Sequence, residues 1–326
     1  MLKVLGLGNA LVDLIFQIDD DQILKQFSLP KGSMTLVDSK KAKKILKATE
    51  NFQYQIAAGG SASNTIDGLA KLGVQSGYIG KIGKDKYGDL FEKELVSKHI
   101  HPNLLYGNDP TGTAITLLSK DAERTFATYL GAAVEMEADE LNEEQFTGYS
   151  FFHIEGYLVQ NHDLILKAVD LARKAGLTIS IDMASFTTVD ANKDFLLDIV
   201  KNYVNIVFAN EEEARSFTGE EPEKAARIIG EYCDMAVVKI GKEGSIIHEG
   251  LRSIVVPSIK ADLKDTTGAG DLYAAGFLYG LSNGYDLELC GKIGSILGGK
   301  VIEVYGARLK DQSWSEIREE ISCLSI

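Results

Sequence analysis

The chain has 326 residues, 45% of them hydrophobic and 25% charged, with a formal net charge of −13. That balance predicts a soluble globular protein with a substantial core, and the negative charge opposes nonspecific binding to nucleic acid or anionic membrane. A polyanionic nucleotide would have to be held by local groups, against the overall field.

The first apolar run, residues 2–7, reads as a buried strand rather than a signal peptide, because Asp13 cuts it short. No apolar stretch reaches transmembrane length. Gly6-Leu7-Gly8 is a weak match to a dinucleotide-binding turn, since Leu11 occupies the place of the third glycine and no clean crossover helix follows. From 11 to 38 the pattern is short strand, acidic turn at Asp19-Asp20-Asp21, short helix, then a strand near 33–37. That is not βαβ spacing, and it predicts an excursion from the main sheet. A second excursion reads as a β-hairpin, 113–118 and 124–130, joined by a polar loop.

Around these excursions the alternation is regular. Helices are predicted near 63–72, 87–98, 163–175, 192–200, 222–233, 269–281 and 287–303. Strands are predicted near 78–82, 151–154, 178–181, 206–208, 235–240, 245–248 and 253–256. Such alternation argues an α/β fold with a mainly parallel sheet covered on both faces. No linker rich in Pro, Gly or Ser divides the chain. A single α/β domain over 1–326 is expected, with a small β-sheet lid from approximately 11–37 and 111–131 inserted in it. Cys233, Cys290 and Cys323 are far apart and form no C-x-x-C pair, which predicts reduced thiols and a cytoplasmic setting. His99 and His101, read as lying on a loop before Pro102, are expected to be solvated.

Two regions carry chemistry. Asp265-Thr266-Thr267-Gly268-Ala269-Gly270-Asp271 runs into the apolar stretch 272–278. Its glycines let backbone N–H groups crowd together at a helix start, where phosphate oxygens are favoured. Beside a bound phosphate, Asp271 can take a proton from a hydroxyl that attacks it. Thr, Gly and Asp are also ordinary helix-start residues, and without Lys-Ser or Lys-Thr after Gly270 this is not a Walker P-loop. Earlier, Ala57-Ala58-Gly59-Gly60-Ser61-Ala62-Ser63-Asn64 opens a helix, and Gly80-Lys81-Ile82-Gly83-Lys84-Asp85 follows. Gly59-Gly60 lets a polyhydroxylated ligand lie on backbone, and Asn64 offers it both a donor and an acceptor.

Together these segments resemble the two signatures of the ribokinase-like (PfkB) kinases in order and separation, and the resemblance covers essentially the whole chain. It implies a ribokinase-like three-layer α/β/α sandwich with a β-sheet lid. It further implies an ATP-dependent kinase of a sugar or nucleoside hydroxymethyl group, with Asp271 as general base and Gly268, Ala269 and Gly270 as anion hole. By the same resemblance Asp13 grips sugar hydroxyls beside Gly59, Gly60 and Asn64. Asn210 and Glu213 would arrange magnesium-bound water, and Lys239, Gly241, Gly244 and Thr267 would meet ATP, although Lys239 stands where Thr is commoner. Asp265, Thr267 and the loop around Gly306 correspond to the potassium site of many relatives. Arg124 reads as an exposed lid cation that would neutralise phosphate charge on closure.

The lid segments 31–36 and 124–132, with Ile154-Glu155-Gly156-Tyr157-Leu158, resemble the adenosine-kinase-like branch. Asp182-Met183-Ala184-Ser185-Phe186 lacks the Asp-x-Asn-x-Arg pattern frequent in sugar kinases. Met34, Phe126 and Tyr157 are then expected to face a nucleobase. The expected acceptor is a nucleoside, adenosine first. A ribokinase- or fructokinase-type sugar kinase is the nearest alternative. A non-catalytic nucleoside- or sugar-binding relative and a dinucleotide-dependent oxidoreductase are the others. Expected partners are small molecules, with neither nucleic acid nor membrane, and the chain is expected to be a monomer or a homodimer paired through the lid.

Overall fold

The apolar runs assemble into one large sheet in the computed structural model, which describes residues 2–121 and 123–324. Its strands, in chain order, are β1 (Val4–Leu7), β2 (Leu11–Gln17), β3 (Met34–Leu36), β4 (Tyr54–Gly59), β5 (Ser76–Ile82), β6 (Ile100–Tyr106) and β7 (Thr111–Leu118). They continue with β8 (Arg124–Gly131), β9 (Phe151–Glu155), β10 (Thr178–Asp182), β11 (Ile206–Asn210), β12 (Met235–Lys239), β13 (Ser245–Glu249) and β14 (Arg252–Val256). The large sheet runs β14-β13-β12-β11-β10-β9-β1-β5-β6. Pairing is parallel from β12 to β6 and antiparallel only for β12-β13 and β13-β14.

Two hydrophobic layers sandwich this sheet. One holds Ile66, Leu69, Phe277 and Ile293 from helices Ser61–Lys71, Ala269–Ser282 and Leu287–Val301. The other holds Leu164, Val169, Ile199 and Ile229 from helices on the opposite face. Strands buried on both sides need no polar alternation, which is why Met235–Val238 reads as a continuous apolar run. Gly6 and Gly8 are explained by the same packing. A Cβ on Gly6 would lie 2.5 Å from the Ile66 side chain, and one on Gly8 would lie 2.6 Å from Glu155 and 2.8 Å from the Ala62 Cβ. The Gly-Leu-Gly run lets helix Ser61–Lys71 settle onto β1.

The smaller sheet has the order β3-β8-β7-β2-β4. The two expected excursions supply four of its strands. The fifth, β4, was not anticipated: Tyr54, Gln55 and Ile56 are all exposed, so this edge strand carries no buried-and-exposed alternation. Helix Ser39–Ala48 was also missed, because its run of lysines masks the two residues it buries, Ala42 and Ile45. His101 is exposed but lies in β6 rather than in a loop. The three cysteines are free, and no helix among the described residues is long and apolar enough to cross a membrane.

Candidate active site

The chain leaves β1 toward β5 and β6 on one side and later returns to β9 on the other, so the strand order reverses at β1. Ligands of open α/β sheets collect at such a reversal, beyond the carboxyl ends of the strands. Here those ends carry a row of polar side chains: Asn9 after β1, Glu155 on β9, Asp182 on β10, Asn210 on β11 and Lys239 on β12. The amino end of helix Ala269–Ser282 joins that row, and Asp271 sits in its first turn.

Asp271 is held from both sides. Its Oδ1 accepts from Ser61 Oγ at 2.7 Å and its Oδ2 from Asn64 Nδ2 at 2.9 Å. Burial pushes its carboxyl above the ordinary range, against the pull of those two hydrogen bonds. Asn64 was expected to hold substrate, and it retains a buried Oδ1 with no partner. Gly268 caps the helix in the left-handed region, φ 78°, and a Cβ there would lie 2.5 Å from that of Ala307. Of the three N–H groups expected to form an anion hole, one is already engaged. The Ala269 N–H is turned back onto the Thr266 carbonyl at 3.1 Å, which leaves the N–H groups of Gly268 and Gly270 at the helix start.

Asp13 lies on β2 opposite β4, and a Cβ on Gly59 would overlap its carboxylate. Gly60 has φ 93°, and a Cβ there would overlap the Asn9 carbonyl. Glycine is therefore required twice, once for a side chain and once for backbone. Burial raises Asp13 to about 6, with Arg308 and Arg124 opposing the rise and the Asp271 charge adding to it. Partners in register point to the same side of a sheet. Met34 pairs with Phe126 and Leu36 with Thr128, and the same face carries Arg124, Asp13 and Ile15. Met34 is 51% exposed and Leu36 60%. This face is turned toward the 265–271 segment and the loop at Gly306, since Arg124 reaches Thr267 from it and Ile15 reaches Gly306. Tyr157 follows Glu155 in a 3-10 turn and is 36% exposed. Burial first, then the nearby carboxylates of Glu155, Asp182, Glu213 and Asp271, push its hydroxyl to about 12.

Sequence reasoning gave no role to two of the carboxylates. Glu155 accepts from Asn9 Nδ2 at 2.6 Å and from the Ala62 N–H at 3.1 Å, pinning the start of helix Ser61–Lys71, and burial raises it to about 7. Asp182 accepts from Lys239 Nζ at 2.7 Å. Burial alone would raise Asp182, but Lys239 outweighs it and holds the carboxyl low. That ammonium also lies 3.0 Å from where a Cβ on Gly270 would stand, so Lys239 borders the helix start.

Asn210 and Glu213 form a reciprocal cap. Glu213 accepts from the Asn210 N–H and Nδ2 at 2.7 and 2.6 Å, and its own N–H donates to Asn210 Oδ1 at 2.9 Å. Burial raises Glu213 to about 7, with Asp182 adding to the rise. A Cβ on Gly241 would meet only the Glu211 carboxylate, at 3.9 Å, whereas one on Gly244 would overlap the Val256 carbonyl. Gly244 is thus fixed by backbone packing against the end of β14.

Arg124 is not the exposed cation expected. It is buried, its Nη1 lies 2.8 Å from Asp265 Oδ2 and 3.3 Å from Thr267 Oγ1, and its Nε and Nη2 have no hydrogen-bond partner. The small sheet and the 265–271 segment therefore touch through one guanidinium. The same Asp265 accepts from the Thr267 N–H and Oγ1 at 3.1 and 2.8 Å and from the Gly306 N–H at 2.7 Å. The three expected potassium residues do converge, but this carboxylate is already surrounded by donors. A monovalent cation does not fit at it while Arg124 occupies that place.

A helix start with free N–H groups and a buried carboxylate, opposite a second carboxylate beneath the small sheet, is an arrangement that phosphoryl transfer to an alcohol would need. Residues 34–314 match the pfkB family carbohydrate kinase model, and the chain belongs to that family. It is similar to a nucleoside kinase of Methanocaldococcus jannaschii, 28% identical over 98% of this chain and 97% of that protein. An uncharacterized sugar kinase of Archaeoglobus fulgidus is 30% identical over 74% of this chain and 96% of its own length. Among solved structures, an adenosine kinase from Sinorhizobium meliloti superposes with a TM-score of 0.87 at 32% identity, covering 98% of this chain and 99% of that one. The protein is a PfkB-family phosphotransferase acting on a sugar or a nucleoside.

Proposed function

We propose that the chain transfers the γ-phosphate of ATP to the 5′-hydroxyl of a nucleoside, with adenosine as the first acceptor to test. The observation that carries this reading is the apolar, cleft-facing lid surface of Met34, Leu36, Ile15 and Phe126, on the same face as Asp13 and Arg124. A free sugar has hydroxyls on every side and gains little from such a roof, whereas a nucleobase has apolar faces to bury. The nucleoside and adenosine kinases among the relatives support the same reading.

In this scheme Asp13 and the Asn64 carboxamide oxygen accept from ribose hydroxyls laid on Gly59-Gly60. Asp271 takes the proton of the attacking hydroxyl, and the oxygen attacks phosphorus in line. The N–H groups of Gly268 and Gly270 stabilise the developing charge. Lys239 and the unpartnered nitrogens of Arg124 lie ready for phosphate oxygens. Magnesium would enter as an ion carried by the phosphates, since it keeps several of its waters and is usually bound through one or two carboxylates plus phosphate oxygens. Glu213 and Asn210 would order those waters, and the ion would neutralise phosphate charge. No step requires potassium.

The test is an ATP-consumption panel with adenosine, inosine, guanosine, ribose and fructose. The reading requires kcat/KM for a nucleoside to exceed that for either free sugar. A preference for ribose or fructose would overturn it and leave the family assignment standing.

A further inference from the structure

A compact charge cluster stands outside the set described so far. Ala58 is on β4, the outermost strand of the lid sheet, immediately before Gly59-Gly60. A strand at that edge has backbone groups with no neighbouring strand to pair with. At Ala58 side chains take that neighbour's place. Its N–H donates to Glu94 Oε1 at 3.0 Å, and its carbonyl accepts from Arg308 Nε at 3.1 Å and also from Nη2. Arg308 is in turn paired with buried Asp67 on helix Ser61–Lys71, and Lys98 lies 2.9 Å from Asp67 and 3.0 Å from Glu94. Arg308 and Lys98 hold Asp67 low despite its burial.

Arg308 also ends a short strap. Two residues earlier the Gly306 N–H is bound to Asp265, and between them Ala307 packs against Gly268, where only glycine leaves room. Residues 306–308 thus touch the carboxylate of the catalytic loop, the cap of the phosphate-binding helix and the strand that carries the acceptor glycines. The charged groups facing Asp13 are Arg308 from the strap, Arg124 from β8, Asp271 from helix Ala269–Ser282 and Glu94 from helix Lys86–Ser97, and Arg308 is the strongest of these.

We propose that Arg308 is a positioning residue for the acceptor: it clamps the strand edge at Ala58, sets a positive charge beside Asp13, and through the strap keeps the acceptor site in register with the phosphate-binding helix start. This rests on the reading of Asp13 as the ligand of acceptor hydroxyls. An arginine suits the task, since its fork reaches a carbonyl and a carboxylate together.

The test measures acceptor binding by calorimetry from pH 5 to 8 in an Asp271→Asn background, which removes the catalytic carboxylate from the titration. Adenosine and ribose are run in parallel. Arg308→Met should weaken acceptor binding roughly tenfold and move the acid limb of binding upward by about one pH unit, while ATP affinity changes less than twofold. Arg308→Lys keeps the charge and loses the fork, so it should lose affinity without moving the limb, and it carries the test if the Met variant does not fold. Asp67→Asn should lower the melting temperature and leave the limb in place or move it down. If Arg308→Met lowers the melting temperature but leaves acceptor affinity and limb unchanged, Arg308 is structural only and the proposal falls. If ribose binds and adenosine does not, the nucleoside reading fails and Arg308 is judged on ribose by the same criteria. If neither binds, both fall.

Discussion

Lys239 Nζ lies 2.7 Å from Asp182 Oδ2 at the mouth of the sheet, with both side chains largely buried and the ammonium bordering Gly270. The pair joins the ends of two strands that are not neighbours, β10 and β12, across β11. Removing the cation strands a buried carboxylate, which costs far more than the pair contributes as a pair. Lys239→Met should therefore destabilise the protein by about 3–5 kcal/mol and raise KM for ATP. The double variant with Asp182→Asn should recover most of the stability and none of the ATP affinity. Thermal unfolding together with ATP titration decides it. Recovery of both would show that Lys239 serves the fold alone.

Asp271→Asn should cut kcat by roughly a hundredfold or more, with little change in either KM, if this carboxylate is the base. Coupled ADP release is a sufficient assay, and turnover near that of the parent would remove Asp271 from the role. Ser61→Ala is the subtler companion. It deletes a hydrogen bond that opposes the upward push on Asp271, so the acid limb of kcat should move to higher pH.

Asp13 gives a prediction whose sign separates stability from function. Its carboxyl moves from an ordinary 3.8 to about 6 in the fold. Between those values the native state binds more protons than the unfolded chain, so this group's effect on stability turns unfavourable as pH rises through the window. Asp13→Asn should raise stability by ~2–3 kcal/mol at pH 7.5, and the gain should vanish near pH 4. The same substitution should weaken acceptor binding at every pH and flatten its decline below about 6. Denaturant unfolding at the two pH values checks the first half, and acceptor titration checks the second.

Gly268→Ala places a methyl against Ala307 in a residue with φ 78°. The helix start must shift or the strap must move. A stability loss of about 1–3 kcal/mol should accompany a loss of kcat much larger than that of Gly284→Ala, a glycine of similar φ with open space around it. Equal effects from the two would mean that Gly268 matters only for its backbone angle.

What could be read from the chain beforehand follows physical lines. The parallel strands were legible because burial on both faces writes continuous apolar runs, as at Phe151–Ile154 within β9. The two glycine segments were legible because backbone approach leaves a composition mark. β4 was not, since an edge strand exposed at Tyr54, Gln55 and Ile56 carries no period. Glu155 and Asp182 were not, because a carboxylate at a strand end looks the same whether it meets solvent or, as here, Asn9 or Lys239. Arg124 was misread for a related reason. Its partner Asp265 is distant in sequence, and only the docking of the lid brings the two together.

The row of carboxylates at the sheet mouth also revises the electrostatic account. A formal charge of −13 counts every acid as ionised. Glu155 and Glu213, both at about 7, hold protons for a large part of the time in neutral solution. Where a triphosphate would enter, the protein is thus less acidic than its composition. Protonation softens the field there, while Lys239 and Arg124 are already balanced by Asp182 and Asp265. Raising the pH would steepen the barrier to an incoming polyanion from inside the cleft.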